Sequence, residues 1–136
     1  MKVVVDTNCL IASIPKNNPE HWLYIAFRQE RFVWCLSNEI LMEYEEVIAR
    51  FYSMTTANLV LSILLTADNV LLTEPFYRYG LIPQDPEDNK FADLAISANV
   101  DYLLSNDRHF QALKKIEFPK VHVVTLEEFE NIMRLV

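Results

Sequence analysis

Lys2-Val3-Val4-Val5-Asp6-Thr7-Asn8 is the stretch that decides the fold. Three consecutive valines form a β-branched run with no polar alternation. That is the pattern of a strand buried on both faces, as in a parallel sheet covered by helices. Aspartate is disfavoured inside a strand, so Asp6 ends the run and Thr7-Asn8 turns the chain. A carboxylate at the carboxyl end of a parallel strand faces the crevice where open α/β sheets bind ligands.

Similar punctuation recurs downstream. Cys9 to Ile14 predicts a short helix that stops before Pro15. His21 to Gln29 has helical spacing, with Trp22, Ile25 and Ala26 on one face. Arg31 to Leu36 reads as a second strand. Ser37 is a good N-cap for a helix from Glu39 to Tyr52, whose stripe is Ile40, Leu41, Tyr44, Val47, Ile48 and Phe51. Thr55 and Thr56 open another helix, running through Leu59, Val60, Ile63 and Leu64. Val70 to Leu72 is a short strand and Glu74 to Pro86 a loop. A helix from Asp88 to Asn99, a strand at Tyr102 to Leu104 and a short helix around His109 to Lys114 follow. Val121 to Val124 is the last strand. Thr125 caps the final helix, where Glu128 completes a capping box. Alternation of this kind predicts an α/β fold: a parallel sheet with helices on both faces. No repeat or linker divides the chain, so residues 1–136 are expected to form one domain.

Composition bounds the function. Apolar residues make up 51% of the chain, enough for a real core. The single glycine excludes a dinucleotide-binding loop and a P-loop. A formal charge of −7 argues against a broad basic nucleic-acid surface. Clustered metal-binding carboxylates would themselves contribute to that charge. Cys9 and Cys35 lie in apolar segments and read as buried thiols in a reducing compartment. No apolar run reaches the roughly 18 residues of a membrane span, and no signal-peptide pattern opens the chain. A soluble cytoplasmic protein is expected.

Asp107 repeats the placement of Asp6, because Ser105-Asn106-Asp107 directly follows Tyr102-Leu103-Leu104. Glu43 borders the apolar stripe of its helix and can point toward the sheet edge. Glu39, in the first turn, already suits the helix dipole, and Glu45 and Glu46 read as a solvated face. Asp88 opens an apolar-periodic helix, with Asp85 as a turn residue and Asp93 as surface charge. Asn8 could hold Asp6 or bind a metal-bound water. Ser105 could position an acid or such a water. Lys90 and Arg108 are candidates for phosphate contacts, although solvated charge is the simpler reading. His21 and His109 read as surface positions and His122 as packed in a strand. Converging carboxylates repel unless a divalent cation holds them, and oxygen-only ligand sets favour magnesium or manganese.

Four motifs in order carry a family resemblance. They are Val4-Val5-Asp6-Thr7-Asn8, Ser37 through Glu43, Asp85-Pro86-Glu87-Asp88-Asn89 with Leu94-Ala95, and Asp101 through Asp107. Together they resemble a PIN domain, most closely the bacterial branch of toxin components related to the VapC toxins. The resemblance implies a Rossmann-like three-layer α/β/α fold with a central parallel sheet of five strands. It implies an Mg2+- or Mn2+-dependent endoribonuclease, with Asp6, Glu43, Asp88 and Asp107 as catalytic acids and metal ligands, and Asn8 and Ser105 as supporting polar residues. Asn106 stands where that branch often has glycine. The partners implied are an RNA substrate and a cognate antitoxin. Phe51, Tyr52, Leu59, Val60 and Ile63 are read first as core; any left exposed would mark a homodimer or antitoxin face. A PIN-fold module that binds without cleaving is disfavoured by the full set of acids. A phosphatase-like hydrolase with Asp6 as nucleophile is disfavoured by Asn8, where the common form needs a second acid.

Overall fold

The computed structural model describes residues 1–135. Five strands, β1 (Lys2–Val5), β2 (Val33–Leu36), β3 (Val70–Leu72), β4 (Tyr102–Leu104) and β5 (Val123–Val124), form one sheet in the order β3-β2-β1-β4-β5. Every pairing is parallel. The helices are α1 (Thr7–Ser13), α2 (Trp22–Arg28), α3 (Asn38–Phe51), α4 (Met54–Thr66), α5 (Asn89–Ser97) and α6 (Leu126–Leu135). Short 3₁₀ segments occupy Pro19–His21, Pro86–Asp88 and Arg108–Lys115. The expected α/β architecture is thus present. Strand order reverses between β1 and β4, which makes their carboxyl ends the topological switch point.

Caps set several helix boundaries. The Ser37 hydroxyl accepts from the Ile40 N–H at 3.2 Å and starts α3. Ser53, rather than Thr55, starts α4 by accepting from the Thr56 N–H at 3.0 Å. Thr125 and Glu128 form the expected reciprocal box at 3.0 and 3.1 Å. The second strand begins at Val33 because Glu30 takes a left-handed φ of 57° and Arg31 and Phe32 belong to the turn. The segment around His109 is 3₁₀ rather than α.

β5 is only two residues long, and His122 lies before it with its side chain in solvent, not packed as the sequence suggested. Its carbonyl accepts from the Leu103 N–H at 2.9 Å, so the backbone serves the sheet while the imidazole faces out.

The core centres on Trp34, whose ring stands edge-on to Phe27 (centroids 5.3 Å apart) and Tyr44 (6.3 Å). Burying such a side chain contributes on the order of 1.5–3 kcal/mol, and truncating it to alanine would remove roughly 3–5 kcal/mol. The Tyr44 hydroxyl donates to the Val5 carbonyl, tying α3 to the residue before Asp6. Cys9 and Cys35 are buried free thiols, as expected.

α5 carries a polar stripe that the sequence reading missed. Asn89, Asp93 and Ser97 stand four residues apart and each captures a backbone N–H of the preceding loop. Ser97 Oγ takes Phe76 at 3.0 Å, Asp93 Oδ1 takes Tyr79 at 2.9 Å and Asn89 Oδ1 takes Ile82 at 2.8 Å. Asp93 is therefore no surface charge but a buried tether. Burial raises its carboxyl pKa, against the Tyr79 N–H and Arg78, which lower it.

Phe51, Tyr52 and Leu59 are exposed and Val60 and Ile63 half-buried, so the first reading of that group as core is corrected for the first three. No helix is long and apolar enough to cross a membrane among the described residues.

Candidate active site

The switch point gathers the acids. Val5 pairs with Leu104, and the Asp6 N–H donates to the Leu104 carbonyl at 2.9 Å, which brings Asp6 level with Ser105. Ser105 Oγ donates to Asp6 Oδ2 at 2.9 Å and accepts from the Asp107 N–H at 3.0 Å. One buried hydroxyl thus links the two strand ends. Asp6 is only 5% exposed. Burial pushes its carboxyl up to about 6; the Ser105 and Thr7 hydrogen bonds oppose the rise, and the charges of Asp107 and Glu43 add to it.

Glu43 reaches the site from the second turn of α3. The Thr7 hydroxyl donates to one of its oxygens, and Lys90 Nζ lies 2.6 Å from the other. Lys90 is not a solvated charge, as its sequence context suggested: its side chain is 6% exposed. Burial works against that charge, but Glu43 and Glu87 outweigh it and raise the lysine pKa.

Asp88 enters from the 3₁₀ turn that leads into α5. Its Oδ2 is buried and has no hydrogen-bond partner. Burial pushes this carboxyl up to about 7, with further contributions from Asp85, Asp6 and Asp107. Among the acids of that loop, Asp88 is the one whose pKa the charges of Asp6 and Asp107 raise, whereas Asp93 is engaged elsewhere.

Asp107 caps the following 3₁₀ segment, its Oδ1 accepting from the His109 N–H at 2.8 Å. The His109 imidazole leans back over the acids, with Nδ1 3.3 Å from Asp85, 3.6 Å from Asp88 and 3.6 Å from Asp107. One ligand atom from each of Asp85, Asp88 and His109 falls within 4.8 Å of the others. Sequence reasoning treated Asp85 as a turn residue and His109 as a surface residue. The spacing of His109 two residues beyond a strand-end acid was the available signal. Asn8 is exposed, and its side chain makes no hydrogen bond to a described residue. Ser105 holds Asp6 instead, while Thr7 holds Glu43.

The donor set suits a hard divalent cation. Asp6, Asp88 and Asp107 offer oxygen only, and an orphaned, buried carboxylate oxygen on Asp88 is the group such an ion would satisfy. Glu43 keeps lone pairs beyond those used by Thr7 and Lys90.

An open parallel α/β sheet with carboxylates at its switch point defines a ligand-binding class of fold. Within it, residues 2–109 match the family model described as PIN domain, and the chain belongs to the PIN domain family. None of the curated proteins matches the sequence. Among solved structures, the fold is similar to VapBC2 from Rickettsia felis, solved bound to a promoter DNA fragment. That match has 16% identity and a TM-score of 0.63, covering 92% of this chain and 98% of the other. It is also similar to VapC20 from Mycobacterium tuberculosis, described as a toxin that cleaves the sarcin-ricin loop. There the identity is 17% and the TM-score 0.61, with coverage of 85% of this chain and 97% of the other.

Proposed function

We propose that this chain, as one domain, is an Mg2+- or Mn2+-dependent endoribonuclease of the VapC type, the toxin of a toxin–antitoxin pair acting in the cytoplasm. The observation that carries the reading is the link from Asp6 to the Asp107 turn through Ser105, beside an Asp88 whose buried carboxylate oxygen lacks a partner and whose pKa the charges of Asp6 and Asp107 raise. Membership of the PIN family and likeness to two structures described as VapBC2 and VapC20 support it.

A bound divalent ion would supply charge neutralisation at the phosphate and lower the pKa of a coordinated water. The chain supplies the rest. Asp6, Asp88 and Asp107, with Glu43 beside them, provide the oxygen donors. Ser105 fixes the rotamer of Asp6 and the start of the Asp107 turn in a single network. Thr7 fixes Glu43. Burial of Asp6 and Asp88 keeps both basic enough to accept a proton near neutral pH when the ion is absent. Asn8, exposed at the start of α1, is free to meet substrate.

The protein partner is proposed on a different face. Leu10, Ile14, Leu59, Val60 and Ile63 line an apolar cavity of about 210 Å³ between α1 and α4. Exposed Phe51, Tyr52 and Met54 adjoin Leu59 in sequence. An antitoxin segment or a second copy of the chain would cover such a surface.

Single-stranded RNA should be cut in the presence of MnCl2 by the wild type and not by Asp6→Asn. Equal cleavage by both proteins would refute the assigned site. Turnover of a phosphate monoester through an aspartyl-phosphate, with no RNA cut, would favour a phosphatase-like hydrolase.

A further inference from the structure

Lys90 stands against the acid cluster yet is shut away from substrate. A lysine ammonium has three donors. Its Nζ has three acceptors within reach: Glu43 Oε1 at 2.6 Å, the Glu87 carbonyl at 2.8 Å and Glu87 Oε2 at 3.4 Å. The Nζ also lies 5.6 Å from the centre of the Phe91 ring. With its donors committed and its side chain 6% exposed, Lys90 has nothing left to offer a phosphate.

We propose that Lys90 is a positioning residue that acts as the resident counter-charge of the site. It pairs with Glu43 permanently, so that the pocket accepts one divalent ion, on the side of Asp6, Asp88 and Asp107, and not two. This rests on the reading of the cluster as a divalent-cation site.

The physical basis is charge balance at close quarters. Glu43 stands among the acids of the switch point, and the Lys90 ammonium lies 2.6 Å from one of its oxygens. A fixed monocation beside Glu43 removes one negative charge without a second metal. It also holds one Glu43 oxygen while Thr7 holds the other, which fixes the carboxylate plane from both ends. Taking away one partner of a buried ion pair leaves an uncompensated charge. In this pocket that freed carboxylate would attract a cation from solution.

Direct counting of bound Mn2+ tests the idea, with MnCl2 titrated into the protein and free ion read by electron paramagnetic resonance. The wild type should bind one ion per chain. Lys90→Met should bind a second ion, or bind the first at least tenfold more tightly, and should melt lower than the wild type in EDTA. Lys90→Arg should return to one ion and to the wild-type melting temperature. Should Lys90→Met fail to fold, Glu43→Gln/Lys90→Met removes both charges and should still take up one ion. Unchanged Mn2+ binding in Lys90→Met, two ions in the wild type, or a second ion in the double variant would overturn the proposal. So would a raised KM for RNA in Lys90→Met with Mn2+ binding unaltered, because that outcome marks a phosphate contact. The nuclease reading fails separately: RNA left intact while the ion counts shift as stated would leave the counter-charge role standing.

Discussion

Asp6 and Asp107 follow neighbouring parallel strands, each behind an apolar run, and their local sequences read alike. The fold treats them differently. Asp6 ends β1, flanked by β2 and β4, and is 5% exposed, whereas the Asp107 side chain is 32% exposed at the head of a 3₁₀ turn. Asp6 and Glu43 form an inner half of the site in which a protein group meets each carboxylate. Asp85, Asp88 and Asp107 form an outer half, open to His109 and containing the orphaned oxygen. Strand-end grammar therefore selects candidate acids, but position in the sheet sets their burial, and burial sets their proton affinity.

The largest expected effect separates the two strand ends. Asp6→Asn should lower Mn2+-dependent RNA cleavage by on the order of 10³-fold or more, as loss of a central electrostatic group does. Asp107→Asn should lower it by roughly 10- to 100-fold. Equal losses in single-turnover assays would erase the distinction. The same Asp6→Asn protein should melt higher than wild type in EDTA at pH 7.5, because it no longer buries a charge. Loss of activity with gain of stability is the mark of a site strained for function.

Proton linkage gives the next effect. The Asp6 carboxyl is held at about 6 in the folded chain against 3.8 for a free aspartate side chain. Between those values the folded state keeps a proton that the unfolded state has released. Stability without metal must then fall as pH rises through this window, by on the order of 3 kcal/mol from Asp6. Asp88, pushed up to about 7, acts in the same direction. Urea unfolding in EDTA at pH 4.5 and 7.5 should show the fall, and Asp6→Asn should flatten it more than Asp107→Asn. A slope unaffected by Asp6→Asn would place the strain elsewhere.

Divalent ions should reverse that loss. At a hundredfold excess over Kd, binding adds about 2.7 kcal/mol, a rise in Tm of roughly 7–13 °C for a chain of this size. Asp88→Asn should remove at least half of the rise, because it deletes the orphaned oxygen's acid. Asp93→Asn should lower the baseline Tm by the loss of one tether, on the order of 1 kcal/mol, and leave the rise intact. A rise that survives Asp88→Asn but not Asp93→Asn would exchange their roles. Smallest of all, His109→Ala should change cleavage by less than about threefold, under 1 kcal/mol of barrier.

Much of this was legible in the chain. β-branched runs give the strands, because parallel strands buried on both faces tolerate little else. Acids directly after such runs give Asp6 and Asp107. Helix phase places Glu43, while Asp88 falls in the turn just ahead of the helix expected to start there. What stayed hidden depends on distant partners. Lys90 reads as a surface lysine until Glu43, 47 positions earlier, is seen beside it. Asp93 reads as surface charge until the loop folds back over α5. His122 sits in an apolar stretch, but the edge strand is too short to pack its side chain. Ser105 meets Asp6 because strand pairing brings neighbouring strand ends together.

The stripe on α5 has one more consequence. Its rungs lie at residues 97, 93 and 89, and the loop positions they hold are 76, 79 and 82, a match of four residues against three. Four helical residues rise about 6 Å, and three loop residues can span up to about 10 Å. The loop therefore runs along the helix like a rope clipped at three posts with a little slack. Removing one residue between two clips leaves a reach of about 7 Å and takes up nearly all of the slack, while adding one only makes the rope sag outward. Length changes in this segment should thus be lopsided, with deletions costing more than insertions.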